Sequence, residues 1–154
     1  MISLQELLKP QNILVPMVAK DKTSAITELV DLLAASKEIT SAQQVISAVL
    51  EREGMRTTGI GKGLAIPHGK STGTEHLSMA IGKPVVPIEF QSIDGKPVSV
   101  VWLLTSPPDK TGPHINALAR ISRLWTIDKF CQAVIAAKTG QEVFEIIVQQ
   151  EKAL

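Results

Sequence analysis

The chain reads as an α/β layer sandwich built on a mixed sheet, and three observations carry that reading. Val98-Ser99-Val100-Val101-Trp102-Leu103-Leu104 is nearly all apolar, as a central strand covered on both faces must be. Apolar residues recur at helical spacing in the first and last thirds of the 154 residues, so helices are available for both faces. The length and the 44% hydrophobic content suffice for a buried core without metals or disulfides. One domain over residues 1–154 is expected, because no repeat, low-complexity tract or linker divides the chain.

The elements follow in order. Ser3-Leu4-Gln5-Glu6-Leu7-Leu8 predicts a short helical turn ended by Pro10, and Asn12-Ile13-Leu14-Val15 a strand ended by Pro16. From Ser24 to Ser36, Ile26, Leu29, Val30, Leu32 and Leu33 mark one helical face. A second helix is expected from Ala42 to about Glu53, opened by a Ser41/Gln44 capping box and carrying Arg52 at its carboxyl end. Ala65-Ile66 reads as a short buried strand stopping at Pro67, which leaves His68 at the rim of a sheet. Leu77 to Ile81 and Val98 to Leu104 read as strands, separated by a Pro- and Gly-punctuated stretch in which Asp94-Gly95 marks a turn. Helices are expected from Pro113 to about Trp125, Asp128 to Ala137 and Gly140 to Gln150. Pro113 suits a first helical turn, and Thr139 with Glu142 forms a second capping box.

Composition excludes several classes of function. A net charge of +1 offers no basic stripe for nucleic acid and no support for attachment to a membrane surface. No segment approaches the roughly 20 apolar residues of a membrane span. Met1-Ile2-Ser3-Leu4-Gln5-Glu6 lacks the pattern of a secretory leader, and the single Cys131 fits a reducing compartment, so a cytoplasmic protein is expected. Aromatic residues make up only 3%, without a tyrosine, which argues against stacking platforms for single strands or sugars.

The run Thr57-Thr58-Gly59-Ile60-Gly61-Lys62-Gly63-Leu64-Ala65-Ile66-Pro67-His68-Gly69 places one histidine after a glycine-rich, phosphate-sized loop whose amides can approach an anion. Two nucleotide motifs nearly fit and fail. A P-loop needs four residues between its first glycine and Gly-Lys-Ser, whereas Gly63 and Gly69 enclose five. A dinucleotide fingerprint starting at Gly59 needs a small residue where Leu64 stands. His68 and His114 lack Asp, Glu or Cys at ligand spacing, so neither a metal nor any other cofactor is expected. His76 reads as a solvent-facing loop residue and Cys131 as a small core residue.

Four blocks then carry a resemblance that spans nearly the whole chain. They are Leu50-Glu51-Arg52-Glu53; Thr58-Gly59-Ile60-Gly61 with Ala65-Ile66-Pro67-His68; Asp94-Gly95-Lys96-Pro97-Val98; and His114-Ile115-Asn116-Ala117-Leu118-Ala119. The chain resembles the type-2 enzyme IIA domain of the bacterial phosphoenolpyruvate-dependent phosphotransferase system, the fructose, mannitol and nitrogen-regulatory branch. The resemblance implies a three-layer α/β/α sandwich with a mixed central sheet. It implies a phosphocarrier in which His68 accepts a phosphoryl group from HPr, or from its nitrogen-branch analogue, and passes it to a IIB domain. It also implies that Arg52 and His114 steady the phosphate. Thr58 has two readings, a hydroxyl donor to phosphate or a cap on the turn. Arg56 falls outside the matching position and reads as a surface residue or partner contact.

The chemistry of these residue types agrees. Imidazole is a competent nucleophile near neutral pH through the nitrogen that lacks the proton, and phosphoryl transfer asks mainly for positioning and for charge stabilisation. The sequence runs to Leu154 without a following linker, which suggests a free-standing module or a fragment of a longer protein. Pro67-His68-Gly69-Lys70 resembles the nitrogen-regulatory members. A regulator is therefore expected, docking a target protein through an apolar rim of Ile60, Leu64 and Ile66, with a sugar-specific component as the alternative. The spacing of Ser106 to Pro113 and the presence of Trp125 depart from the usual family pattern.

Overall fold

The computed structural model describes residues 3–154; the opening Met1-Ile2, part of the segment read as lacking a leader pattern, lies outside them. In chain order the elements are α1 (Leu4–Leu7), a 3-10 turn (Pro10–Asn12), β1 (Ile13–Met17), α2 (Lys22–Ala35), α3 (Ala42–Met55), β2 (Gly59–Gly61), β3 (Leu64–Ala65), β4 (His68–Lys70), β5 (Ser78–Pro84), β6 (Val100–Ser106), α4 (Thr111–Leu124), α5 (Asp128–Ala136) and α6 (Gly140–Lys152).

The sheet is mixed, in the order β1-β5-β6-β3-β2, with β4 also paired to β6. β6 is its axis and every one of its residues is buried. Alternation along β6 sends Val100, Trp102 and Leu104 to one side, into a core with α1, α4, α5 and α6. Val101 and Leu103 go to the other side, against α2 and α3. Two helical layers thus enclose one sheet, as the run of apolar residues in β6 requires.

Local differences from the sequence reading have physical causes. β1 runs through Pro16 to Met17, since it is an edge strand whose register against β5 shifts between Leu14 and Met17, where a missing N–H is tolerated. α2 starts two residues before Ser24, because the Asp21 carboxylate accepts the Ser24 amide at 2.8 Å. α4 begins at Thr111, so Pro113 occupies the third position of the helix, where amides have no intrahelical partner. Both expected capping boxes are half made. The Ser41 hydroxyl accepts the Gln44 amide, but the Gln44 side chain accepts from Thr72. Thr139 accepts the Glu142 amide, while the Glu142 carboxylate takes the Lys138 amide instead of that of Thr139.

The largest correction concerns the glycine-rich run. It is a β-hairpin. β2 and β3 pair antiparallel, and the turn between them uses positive φ at Gly61 (101°), Lys62 (56°) and Gly63 (82°). Gly59 is packed so closely that an added Cβ would lie 2.3 Å from the Ser92 Oγ. The amides of Gly59 and Lys62 are taken by the Thr57 hydroxyl and the Asp94 carboxylate. The tip is pinned from below, where the buried Trp125 donates Nε1–H to the Lys62 carbonyl at 3.0 Å. The glycines serve the turn and close packing, and the expected phosphate cradle is not formed by them.

The short strand β3 ends at Ala65, before Pro67, as expected, but the pairing with β6 is taken up again beyond the proline. Leu64 lies beside Val100 and His68 beside Leu104 in one unbroken parallel register, with the Pro67 carbonyl accepting the Leu104 amide at 3.0 Å. The chain resumes as β4, and His68 is its first residue.

Candidate active site

β2 reaches only β3, so among the described residues no strand covers the outer side of β4. That open edge is flanked by α3 and α4. Between them is a cavity of about 460 Å3 lined by Ala48, Glu51, Arg52 and Met55 of α3, His68, Gly69 and Lys70 of β4, and His114, Ile115 and Leu118 of α4. Strand alternation puts His68 and Lys70 on one side of β4 and Gly69 on the other, where Gly69 meets the α3 backbone at Ala48 and Val49. The absence of a side chain there lets α3 approach, which brings Arg52, one turn further along, into the same cavity as His68.

His68 is half-buried, and its Nδ1 lies 2.7 Å from the Ile66 carbonyl oxygen. A carbonyl only accepts, so Nδ1 carries the proton and Nε2 of the neutral ring carries the lone pair. Nε2 has no partner among the described residues. Burial, aided by the Arg52 charge, pushes His68 below the ordinary histidine range, although the Ile66 bond opposes the shift. The His68 ring is therefore neutral at physiological pH, with its lone pair on Nε2.

His114 is buried at the first full turn of α4, its ring centroid 5.4 Å from that of His68 at an interplanar angle of 60°. Its Nδ1 lies 2.5 Å from the Ser106 hydroxyl. Burial, followed by the neighbouring His68 and Lys70, depresses its pKa to about 4. Arg52 is half-buried and donates one Nη1–H to the Arg56 carbonyl at 2.8 Å. Arg56 itself is exposed and outside the cavity lining.

Of the expected site residues, the structure thus gathers His68, His114 and Arg52. Thr58 is placed elsewhere: it is buried, its amide and hydroxyl both donate to the Glu53 carboxylate, and it does not line the cavity. This favours the second of its two readings, a structural bond that closes the α3–β2 connection. Glu53 is held in turn by Lys22 at 3.1 Å. The expected apolar rim needs correction in part. Ile60 is exposed but outside the cavity lining, Leu64 and Ile66 are buried in the core, and the exposed apolar residues at the cavity are Met55 (73%) and Ile115 (57%).

Sequence reasoning missed Lys70 as a cavity residue. A period of two from His68 would have found it, had a second strand been read after Pro67. His76, expected to face solvent, is exposed and pairs with Glu38 at 2.9 Å, away from the cavity. Cys131 is buried as expected and donates to the Trp125 carbonyl. Among the described residues no cluster of three His, Cys, Asp or Glu could hold a metal ion, and no helix is long and apolar enough to cross a membrane.

The model of the EIIA 2 domain of the phosphoenolpyruvate-dependent sugar phosphotransferase system matches residues 6–150. The chain belongs to this family. A nitrogen regulatory protein of Bradyrhizobium diazoefficiens is 33% identical over 144 residues, covering 92% of both chains. The fructose-specific EIIABC component of Bacillus subtilis is 28% identical over 151 residues, and there the chain spans 24% of the relative's length. Among solved structures, the nitrogen regulatory protein IIA-Ntr of Neisseria meningitidis superposes with a TM-score of 0.87 at 28% identity, over 94% of this chain and 98% of that one. The Escherichia coli complex of enzyme IIAMTL with phosphorylated enzyme IIBMTL matches with a TM-score of 0.79 at 16% identity, over 92% and 97%, a likeness of fold. EIIA components act as phosphocarriers, so this EIIA 2 domain is a component of a phosphoryl-transfer system.

Proposed function

We propose that His68 is the residue of this EIIA domain that carries the phosphoryl group, bonded through Nε2. The observation that carries the reading is the bond from His68 Nδ1 to the Ile66 carbonyl, which leaves the Nε2 lone pair in a cavity that also holds two cationic side chains. The Nε2 lone pair attacks phosphorus on a phosphohistidine of the donor protein, HPr or its nitrogen-branch analogue. As the new N–P bond forms, the donor's N–P bond breaks and its electron pair returns to the donor imidazole. The His68 ring gains positive character, which strengthens its Nδ1–H bond to Ile66. Arg52 and Lys70 offset the charge on the phosphoryl oxygens, the guanidinium through its fork and the ammonium as a point charge. His114 completes the enclosure. Transfer onward to a IIB domain reverses the same bond changes.

The test is labelling in the cytoplasmic reaction mixture of phosphoenolpyruvate, enzyme I and HPr. An acid-labile, alkali-stable phosphoprotein is expected, with phosphorus on Nε2 by 15N–31P coupling. A His68→Ala variant labelled as well as the parent would falsify the assignment.

The nitrogen-regulatory reading is supported by 33% identity to the Bradyrhizobium protein across 92% of each chain. In it the phosphorylation state of His68 controls docking of a target protein over Met55 and Ile115, because a dianion at the centre of an apolar rim opposes desolvation. The alternative, a sugar-specific component, is supported by the Bacillus EIIABC relative. Transfer from the phosphorylated chain to a purified IIB domain distinguishes a transport component from a regulator.

A further inference from the structure

Ser106 is the last residue of β6 and pairs with Lys70, so strand alternation points its side chain to the same side of the sheet as those of Lys70 and His68. It is completely buried, and its Oγ is 2.5 Å from Nδ1 of His114. The hydroxyl has one proton to place. Its Oγ has no other partner among the described residues, and a buried O–H without an acceptor is costly. If Nδ1 also carried a proton, two donors would meet in a dry site and the hydroxyl proton would have no acceptor. Satisfaction of both groups therefore requires Ser106 to donate and Nδ1 to accept. A neutral imidazole then carries its one proton on Nε2.

We propose that Ser106 is a positioning residue: it holds His114 in the Nε2–H tautomer, so that a neutral imidazole donates a hydrogen bond to the phosphoryl group on His68. The inference rests on His68 as the phosphoryl carrier. The two rings, 5.4 Å apart, are then set in opposite tautomers by two different groups. The Ile66 carbonyl takes the Nδ1 proton of His68 and leaves a lone pair on Nε2; the Ser106 hydroxyl gives a proton to Nδ1 of His114 and leaves a proton on Nε2. Before transfer one ring is prepared as nucleophile and the other as donor, both neutral. The depressed titration of His114 is consistent with this, since burial beside His68 and Lys70 disfavours a second proton on the ring.

Long-range 1H–15N correlation spectra of the 15N-labelled wild-type protein at pH 7 provide the first test. His114 is expected as the Nε2–H tautomer and His68 as Nδ1–H. An Nδ1–H form of His114, or an even mixture, overturns the proposal. In Ser106→Ala the tautomer bias of His114 is lost and phosphorylation by enzyme I and HPr slows by about three- to tenfold, while the final labelling of His68 stays complete. Ser106→Thr, which keeps the hydroxyl, retains the wild-type tautomer and most of the rate. A wild-type rate in Ser106→Ala, or a slowed rate with an unchanged tautomer, also overturns it. Should the alanine variant unfold, the wild-type spectrum and the threonine variant decide. Failure of the wild-type chain to become labelled on His68 counts against the carrier reading instead, and leaves the measured tautomer as it is.

Discussion

Replacing Gly69 by alanine tests the contact that joins the two walls of the cavity. A Cβ at this position would lie 3.0 Å from the Val49 nitrogen, 3.1 Å from the Ala48 carbonyl carbon and 3.1 Å from the Val49 Cγ2. Two of these atoms belong to helix backbone and cannot rotate away, so α3 must retreat by a few tenths of an ångström. Gly69 is not among the residues at positive φ, so the effect comes from space alone. Two terms of opposite sign compete. Loss of a glycine from a strand stabilises by about 0.5–1 kcal/mol, whereas overpacking costs about 1–3 kcal/mol. With helix backbone as the obstacle, overpacking should win by about 1–2 kcal/mol, a fall in Tm of about 2–8 °C for a chain of this length. Arg52, one turn from Ala48, moves with the helix, and phosphorylation of His68 slows by about tenfold or less, since positioning errors near 1 Å cost about a hundredfold. The assay pairs thermal unfolding by circular dichroism with the initial rate of labelling. An unchanged or raised Tm would mean that only the glycine entropy was felt, and that α3 is not seated on β4.

Three further outcomes are expected. Arg52→Ala slows phosphoryl transfer by about 10- to 100-fold, the worth of a charge-assisted bond of about 1.5–3 kcal/mol, without change in the circular dichroism spectrum; Arg52→Lys restores only part of the rate, and full restoration would show that the fork geometry is irrelevant. Folding stability falls with acid in a defined window. The His114 pKa of about 4 lies below its unfolded value of 6.5, so the unfolded chain binds protons first, and the contribution, about 3 kcal/mol, is present above pH 6.5 and lost as the pH falls towards 4. A His114→Gln variant should lose much of that acid dependence in urea titrations at pH 7 and pH 4.5, and an identical pH profile would refute the burial argument. Glu53→Ala leaves the Lys22 ammonium and the Thr58 amide without their acceptor, at a cost of about 3 kcal/mol in urea denaturation; a cost under about 1 kcal/mol would mean that the α3–β2 connection holds without this network.

Much of the architecture was legible because it depends on local periodicity. β6 was marked by its apolar run, α2 and α3 by apolar spacing and α6 by its Thr139 cap, each to within a few residues at its ends. The boundaries shifted where a cap or a neighbour decided them, as at Asp21 for α2 and at Thr111 for α4. Arg52 and His114 were reached through the order of family blocks, since no local pattern connects residues so far apart in the chain. The glycine run was misread because glycine permits both an anion-binding loop and a tight hairpin; only the packing of Ser92 and Trp125 against it selects the hairpin. Lys70 and Ser106 were hidden for a related reason. Proline ends β3, but the chain keeps the same parallel register against β6 beyond it, so β4 forms directly after Pro67 and carries Lys70 alongside Ser106.

By itself the sequence determined the kinds of chemistry available, namely a histidine after Pro67, an arginine at a helix end and a second histidine at a helix start, together with the layers that hold them. Those properties follow from residue type and short-range spacing. The tertiary structure alone decided which group faces each ring nitrogen, which cations share the cavity and which apolar residues surround it. Such choices depend on groups brought together from distant segments: the Ile66 carbonyl turned towards His68, the Ser106 hydroxyl against His114, and α3 resting on Gly69. Hydrogen-bond direction and close contact act over a few ångströms in space, and separation along the chain does not encode them.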